Sequence, residues 1–189
     1  MVDKDAFEIR ERALEDEFFH RVDEKLREEL RRSMERDKSR ESLTNATGLS
    51  DNDLLDTLID AGFQATTLAA LSLVPAIFVA WADDKVDQSE REQLQKAAVD
   101  HGIAEDGLAW QLLTSWIENK PPKSLWNTWR QYAEAVGKSL SPAASGILAD
   151  QIVTLSTVVA NASGGILGIG KISSKEREVI EKIKKALAS

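Results

Sequence analysis

Two stretches of the chain, about 80 residues apart, repeat one another, so any fold must house both copies. The first runs Val79-Ala80-Trp81-Ala82-Asp83-Asp84 and continues Lys85-Val86-Asp87-Gln88-Ser89-Glu90-Arg91-Glu92-Gln93-Leu94. The second runs Val159-Ala160-Asn161-Ala162-Ser163-Gly164. After an inserted Gly-Ile-Leu-Gly-Ile-Gly it continues Lys171-Ile172-Ser173-Ser174-Lys175-Glu176-Arg177-Glu178-Val179-Ile180. The shared core is Lys-Val/Ile-Asp/Ser-x-x-Glu-Arg-Glu-x-Leu/Ile. Repetition at this spacing implies a duplicated supersecondary unit stacked on itself. It constrains architecture far more than chemistry.

The rest of the chain reads as helices. Residues 3–41 are dense in charge, with apolar residues at Phe7, Leu14, Phe18, Val22, Leu26, Leu30 and Met34, mostly four apart, along one long helix. Acids precede bases by three or four positions, as in Glu8 with Arg12, Glu17 with Arg21 and Glu28 with Arg31, which supports the helix locally. A narrow stripe on a charged rod cannot make its own core and has to dock. After Asn45-Ala46-Thr47-Gly48, Ser50 is the predicted N-cap of a short helix ending near Gly62. An apolar helix is predicted from Thr66 or Thr67 to Ala82, with Pro75 bending it or shifting its hydrogen bonds. Further helices are expected from Gln88 to His101, from about Glu105 to the Pro121-Pro122 pair, from Ser124 to about Leu140, from Pro142 to Ala162 and from Ser174 to Leu187. Only Ile152 to Val159 reads locally as strand, and its alignment with the first repeat favours helix. The expected fold is all-α. A charged arm spans 1–48, and a helical domain spans 49–189 with repeat units at about 66–101 and 142–188.

A chain of 189 residues is long enough for one buried core plus an appendage. Its net charge of −8, with no basic cluster clear of acidic neighbours, argues against nucleic acid as a partner. Without cysteine there can be no disulfide, thiolate metal site or cysteine nucleophile. The first thirty residues are too charged for a signal peptide. Gly62 to Ala82 carries no charge and has transmembrane length, but polar residues dilute it and no Lys or Arg lies between Arg40 and Lys85. A buried helix is therefore expected, in a cytoplasmic protein that does not span a membrane. Peripheral membrane association stays open.

Asp83, Asp84, Asp87 and Glu90 are the candidate metal ligands, since clustered oxygen donors suit calcium. An EF-hand register starting at Asp83 fails, because Lys85 falls at the third position and Leu94 at the twelfth. The favoured reading is structural. Asp87 with Glu90, and Ser173 with Glu176, have the spacing of a capping box, and acids also suit a helix N-terminus. No cofactor is expected, with a divalent cation at this turn as the one alternative. Gly165 to Lys171 matches half of a phosphate-binding loop but has Ile172 where the magnesium-holding hydroxyl belongs. Trp81, Trp110, Trp116, Trp126 and Trp129 read mainly as core, with Trp126 or Trp129 as the expected surface exceptions. No arrangement of His20, His101, serines and carboxylates forms a catalytic set, so no enzyme activity is expected.

The repeat resembles the TerB-like tellurite-resistance fold, in which an apolar helix ends in an Ala-Asp-Gly-Lys-Val/Ile turn and an acidic helix opening follows, twice over. Ala82-Asp83-Asp84-Lys85-Val86-Asp87 and Glu90 match the first turn, with Asp84 in place of glycine. Gly170-Lys171-Ile172-Ser173 and Glu176 keep the second opening without the acidic pair. The resemblance covers roughly residues 62–189. It implies a compact helical domain associated with stress-response and membrane-proximal complexes. The N-terminal Phe7-x-x-Arg10-Glu11-x-Ala13-x-Glu15-x-x-Phe18-x-His20 is similar to the start of the zeta-type inhibitor of F-type ATP synthases, whose N-terminal helix enters the catalytic head and blocks rotation. Two function classes follow. The first is a non-enzymatic interaction or scaffold module binding a protein partner through Phe7, Arg10, Glu11, Leu14, Phe18 and Val22. The alternative is a regulatory inhibitor that inserts its N-terminal helix into an ATPase.

Overall fold

The computed structural model describes residues 2–162 and 172–188, with side chains described at residues 21, 24–162 and 172–188. Among the described residues all regular structure is helical, as expected, with no strand. The helices are α1 (Val2–Thr47), α2 (Asn52–Asp60), α3 (Val74–Ala80), α4 (Gln88–Asp100), α5 (Leu108–Glu118), α6 (Lys123–Ser139), α7 (Pro142–Ala162) and α8 (Ser174–Leu187). Short 3-10 segments at Ala65–Leu73 and Trp81–Asp83 flank α3.

The chain divides into two compact units, Met1–Glu41 and Ser42–Ser189. The described part of the first is α1 alone, laced by pairs along the helix. The Glu28 carboxylate accepts from Arg31 at 3.3 Å and from Arg32 at 3.1 Å, and both arginines hold it below the usual carboxylate range. All three side chains are exposed, so the pairs add little stability. The last turn of α1 belongs to the second unit. There Leu43 is 1% exposed and shares a core with Leu49, Leu54 and Leu55.

In the larger unit the segment around α3 is the central pole. Leu71, Val74 and Val79 face a core made with α2, α6, α7 and α8, while Ala70, Leu73, Ala76, Ile77 and Ala80 face a second core made with α4 and α5. A helix buried on all sides needs apolar residues all round, which is why this stretch carries no charge. Its winding follows from Pro75. Proline has no N–H to give to the carbonyl four residues back, so it is tolerated only in a first turn. The α-helix accordingly starts at Val74, with Pro75 in its first turn, and the preceding residues tighten into 3-10 form. The Val74 N–H donates to the Leu71 carbonyl, three residues back.

The two sequence repeats are each an apolar helix and a polar one, α3 with α4 and α7 with α8. They pack crosswise, since α3 lies on α7, α4 also lies on α7, and α8 also lies on α3. The inserted glycine-rich segment, with its partial phosphate-loop motif, falls outside the described residues apart from Ile172.

Several ends differ from expectation for local reasons. Asp51, not Ser50, caps α2, because its carboxylate accepts from the Asp53 and Leu54 N–H groups at 3.0 and 3.2 Å. Helix α5 begins at Leu108 rather than near Glu105, because the Gly107 N–H closes a turn on the Ala104 carbonyl at 2.9 Å. Two helices stop in the same manner. Gly62 and Gly102 take φ of 84° and 75°, and the N–H of Phe63 and of Ile103 reaches back to Leu58 and Ala98, each at 2.9 Å. The left-handed glycine turns the chain, and the buried Phe63 and Ile103 seal the helix end.

Candidate functional site

The four candidate metal ligands lie in the α3–α4 turn and the first turn of α4, and Asp84, Asp87 and Glu90 each have a partner within the protein. Trp81 anchors the turn by donating its indole N–H to the Trp116 carbonyl at 2.7 Å. Asp84 takes φ of 71°, the left-handed region that short polar residues tolerate and glycine adopts freely. Its carboxylate pairs with Lys120, which lowers its pKa from the ordinary value. Asp87 is the N-cap of α4, and its Oδ1 accepts from the Glu90 N–H at 2.8 Å. Glu90 Oε2 accepts from the Asp87 N–H at 2.9 Å, which completes the capping box the spacing predicts.

Glu90 is nonetheless 3% exposed, and burial pushes its carboxyl up to about 7. The negative charges of Asp87, Glu176 and Asp83 push in the same direction, while the Asp87 N–H opposes them. The nearby Glu176 comes from the other repeat. It too is buried and closes a capping box, with its own N–H donating to Ser173 Oγ at 3.2 Å and its carboxylate accepting from the Ser173 N–H. The crosswise packing thus brings the two helix openings near each other, each with its third-position glutamate turned inward. No signal in either repeat taken alone could have announced that proximity. Among the described residues, no three His, Asp or Glu side chains converge in a way that could hold a metal ion.

The expected partner-binding residues Phe7, Arg10, Glu11, Leu14, Phe18 and Val22 have side chains outside the described residues. Their stripe continues into described positions, and those lie open. Leu26, Leu30 and Met34 are 62%, 61% and 54% exposed. Steps of four residues overshoot one helical turn by about 40°, so the stripe winds slowly to the right around α1. A partner would have to follow that winding.

Two features of the larger unit were not apparent from sequence. An open groove of about 760 Å³ runs between α4 and α7, lined by Lys96, Ala97, Asp100 and His101 on one side and Ile147 and Val158 on the other. Ile147 and Val158 are exposed because α7 buries one face while being apolar nearly all round. That breadth of apolar character was the available clue. Of the two tryptophans expected at the surface, one is partly there and the other is not. Trp129 is 1% exposed and is not a surface residue, whereas Trp126 is half-buried, 4.9 Å from Trp129 and 5.3 Å from Phe78 between ring centroids. Trp126 sits one turn before the fully enclosed position and reaches the edge of the core.

No family model, curated protein or solved structure matches the chain.

Proposed function

We propose that this chain is a non-enzymatic interaction module of TerB-like type that binds a protein partner through α1. The observation that carries the reading is the exposure of Leu26, Leu30 and Met34, aligned along a helix whose neighbouring described side chains are mostly charged. Covering side chains of this size gains roughly 1 kcal/mol or more each, and the flanking ion pairs would set register more than affinity. The left-handed Asp84 supports the TerB-like part, since it stands where that resemblance implies glycine.

The alternative, an inhibitor that inserts α1 into an ATPase, rests on the same exposed helix and on the match over residues 7–20. One experiment addresses both. The tagged full chain and a Leu26→Asp/Leu30→Asp double variant are cross-linked in native lysate and their partners compared. Both positions are exposed, so the variant should melt like the parent while losing the partner. Recovery of ATP synthase head subunits from the parent alone would assign the inhibitor role, and a peptide of residues 3–26 should then slow ATP hydrolysis. Equal capture by both proteins would overturn the proposal.

A further inference from the structure

Beside Trp126, the first turn of α6 and the middle of α8 leave a cleft of about 280 Å³. Phe78, Trp126 and Val179 give it apolar walls, and Lys123, Lys182 and Asn127 stand around it. Phe78 and Trp126 are in tilted contact and form a continuous aromatic wall. All three polar residues are exposed, and they ring an apolar floor as in a small-ligand site.

The charge around this cleft runs against that of the molecule. The chain carries −8, yet two ammonium groups from different helices line this one depression. Lys123 has no ion-pair partner among the described residues, and Lys182 has only Glu178, at 2.8 Å, in a pair exposed on both sides. Such a pair costs little to exchange for a ligand. The start of α6 adds to the field. Pro122 is its N-cap and supplies no side-chain acceptor for the first-turn N–H groups. The positive end of this 17-residue helix lies at Lys123, one of the residues that line the cleft.

We propose that this cleft binds an amphiphilic anion, a carboxylate or phosphate carried on a small apolar body. The apolar part packs on Phe78, Trp126 and Val179, and the anionic head pairs with Lys123 and Lys182. A cleft of about 280 Å³ suits one ring with a short alkyl chain, not a nucleotide. Affinity for so small a ligand should lie on the order of 0.1–1 mM. The same chemistry is offered by a free metabolite-sized acid and by the headgroup region of an anionic lipid.

The probe is 4-phenylbutyrate, titrated against the full chain by tryptophan fluorescence, with neutral 4-phenylbutanamide as its control. Saturable binding of the acid is expected, weakened about tenfold or more in the amide and in a Lys123→Gln/Lys182→Gln double variant. Asn127→Phe, at an exposed position on the rim, fills the cleft without touching its charges and should abolish binding while circular dichroism stays unchanged. A parallel arm tests co-sedimentation with phosphatidylglycerol vesicles. Vesicle binding lost in the lysine double variant assigns the lipid source, and binding of the free acid alone assigns the soluble one. Equal affinity for acid and amide, wild-type binding by the double variant, or binding in neither arm overturns the proposal.

Discussion

Ala65–Asp83 and Pro142–Ala162 are the two described stretches long and apolar enough to cross a membrane by length and composition, yet they are used differently. Of the most apolar window in each, 56% is buried within the protein in the first and 22% in the second. The first is the central pole, enclosed by core on both sides. The second, α7, turns Ile152, Ser156, Val159 and Ala160 inward at helical spacing and leaves Ile147 and Val158 outside. Even its buried serine is satisfied within the helix, by donating to the Ile152 carbonyl at 2.8 Å. Apolar composition therefore states what a segment tolerates, while its neighbours decide how much of it is covered.

The strongest test of that contrast is a charge in the enclosed segment. Ile77 is fully buried, so Ile77→Asp should cost about 4 kcal/mol or more and leave the larger unit unfolded in chemical denaturation. Retained two-state unfolding near the parental midpoint would show that the pole is not enclosed.

Glu90, in the cap of the helix that follows the first segment, makes stability depend on pH. Between the ordinary glutamate range and about 7, folded Glu90 holds a proton that the unfolded chain has released. Stability is then lost as pH rises through that window, and the deficit is constant above it. Glu90→Gln keeps a side chain able to reach the Asp87 N–H and removes the buried charge. It should raise stability by about 1–3 kcal/mol near pH 8, with the gain vanishing toward pH 5, as read from melting curves across pH. A gain of the same size at both pH values would refute the buried-charge account.

The caps themselves carry smaller effects. Ser173→Ala and Asp87→Ala each remove one N-cap acceptor and should each destabilise by roughly 1 kcal/mol in urea unfolding. If Asp87→Ala left stability intact but abolished a calcium-dependent rise in melting temperature, the turn would be a metal site instead of a cap. Smallest of all is the charge on the open face. Ile147 is 61% exposed, so Ile147→Asp should change the unfolding free energy by about 0.5 kcal/mol or less. A loss approaching that of Ile77→Asp would mean that something covers α7 in solution.

Much of the fold was legible because it rests on short-range rules. Asp87 with Glu90 and Ser173 with Glu176 announce capping boxes through spacing alone, and Gly102 announces the end of α4. Pro75 announces disturbed hydrogen bonding, although which side of it would wind as 3-10 was not evident. Short-range rules also failed where two neighbours compete, as with Ser50 against Asp51 at the start of α2. The exposed continuation of the α1 stripe was visible as a pattern, but that Leu26 and Leu30 lie open while Leu43 is enclosed was not.

By itself the sequence determined the helices, most of their caps and the residues that must avoid water, because those depend mainly on residues within about four positions along the chain. Only the tertiary structure decided which of two similar apolar segments became the enclosed pole, and that Glu90 would lie near Glu176. It also decided that Lys123 and Lys182 would line one cleft beside Trp126. Those outcomes depend on how α3, α4, α7 and α8 cross one another. A crossing is set by the packed surfaces of all the helices together, so no local pattern encodes it.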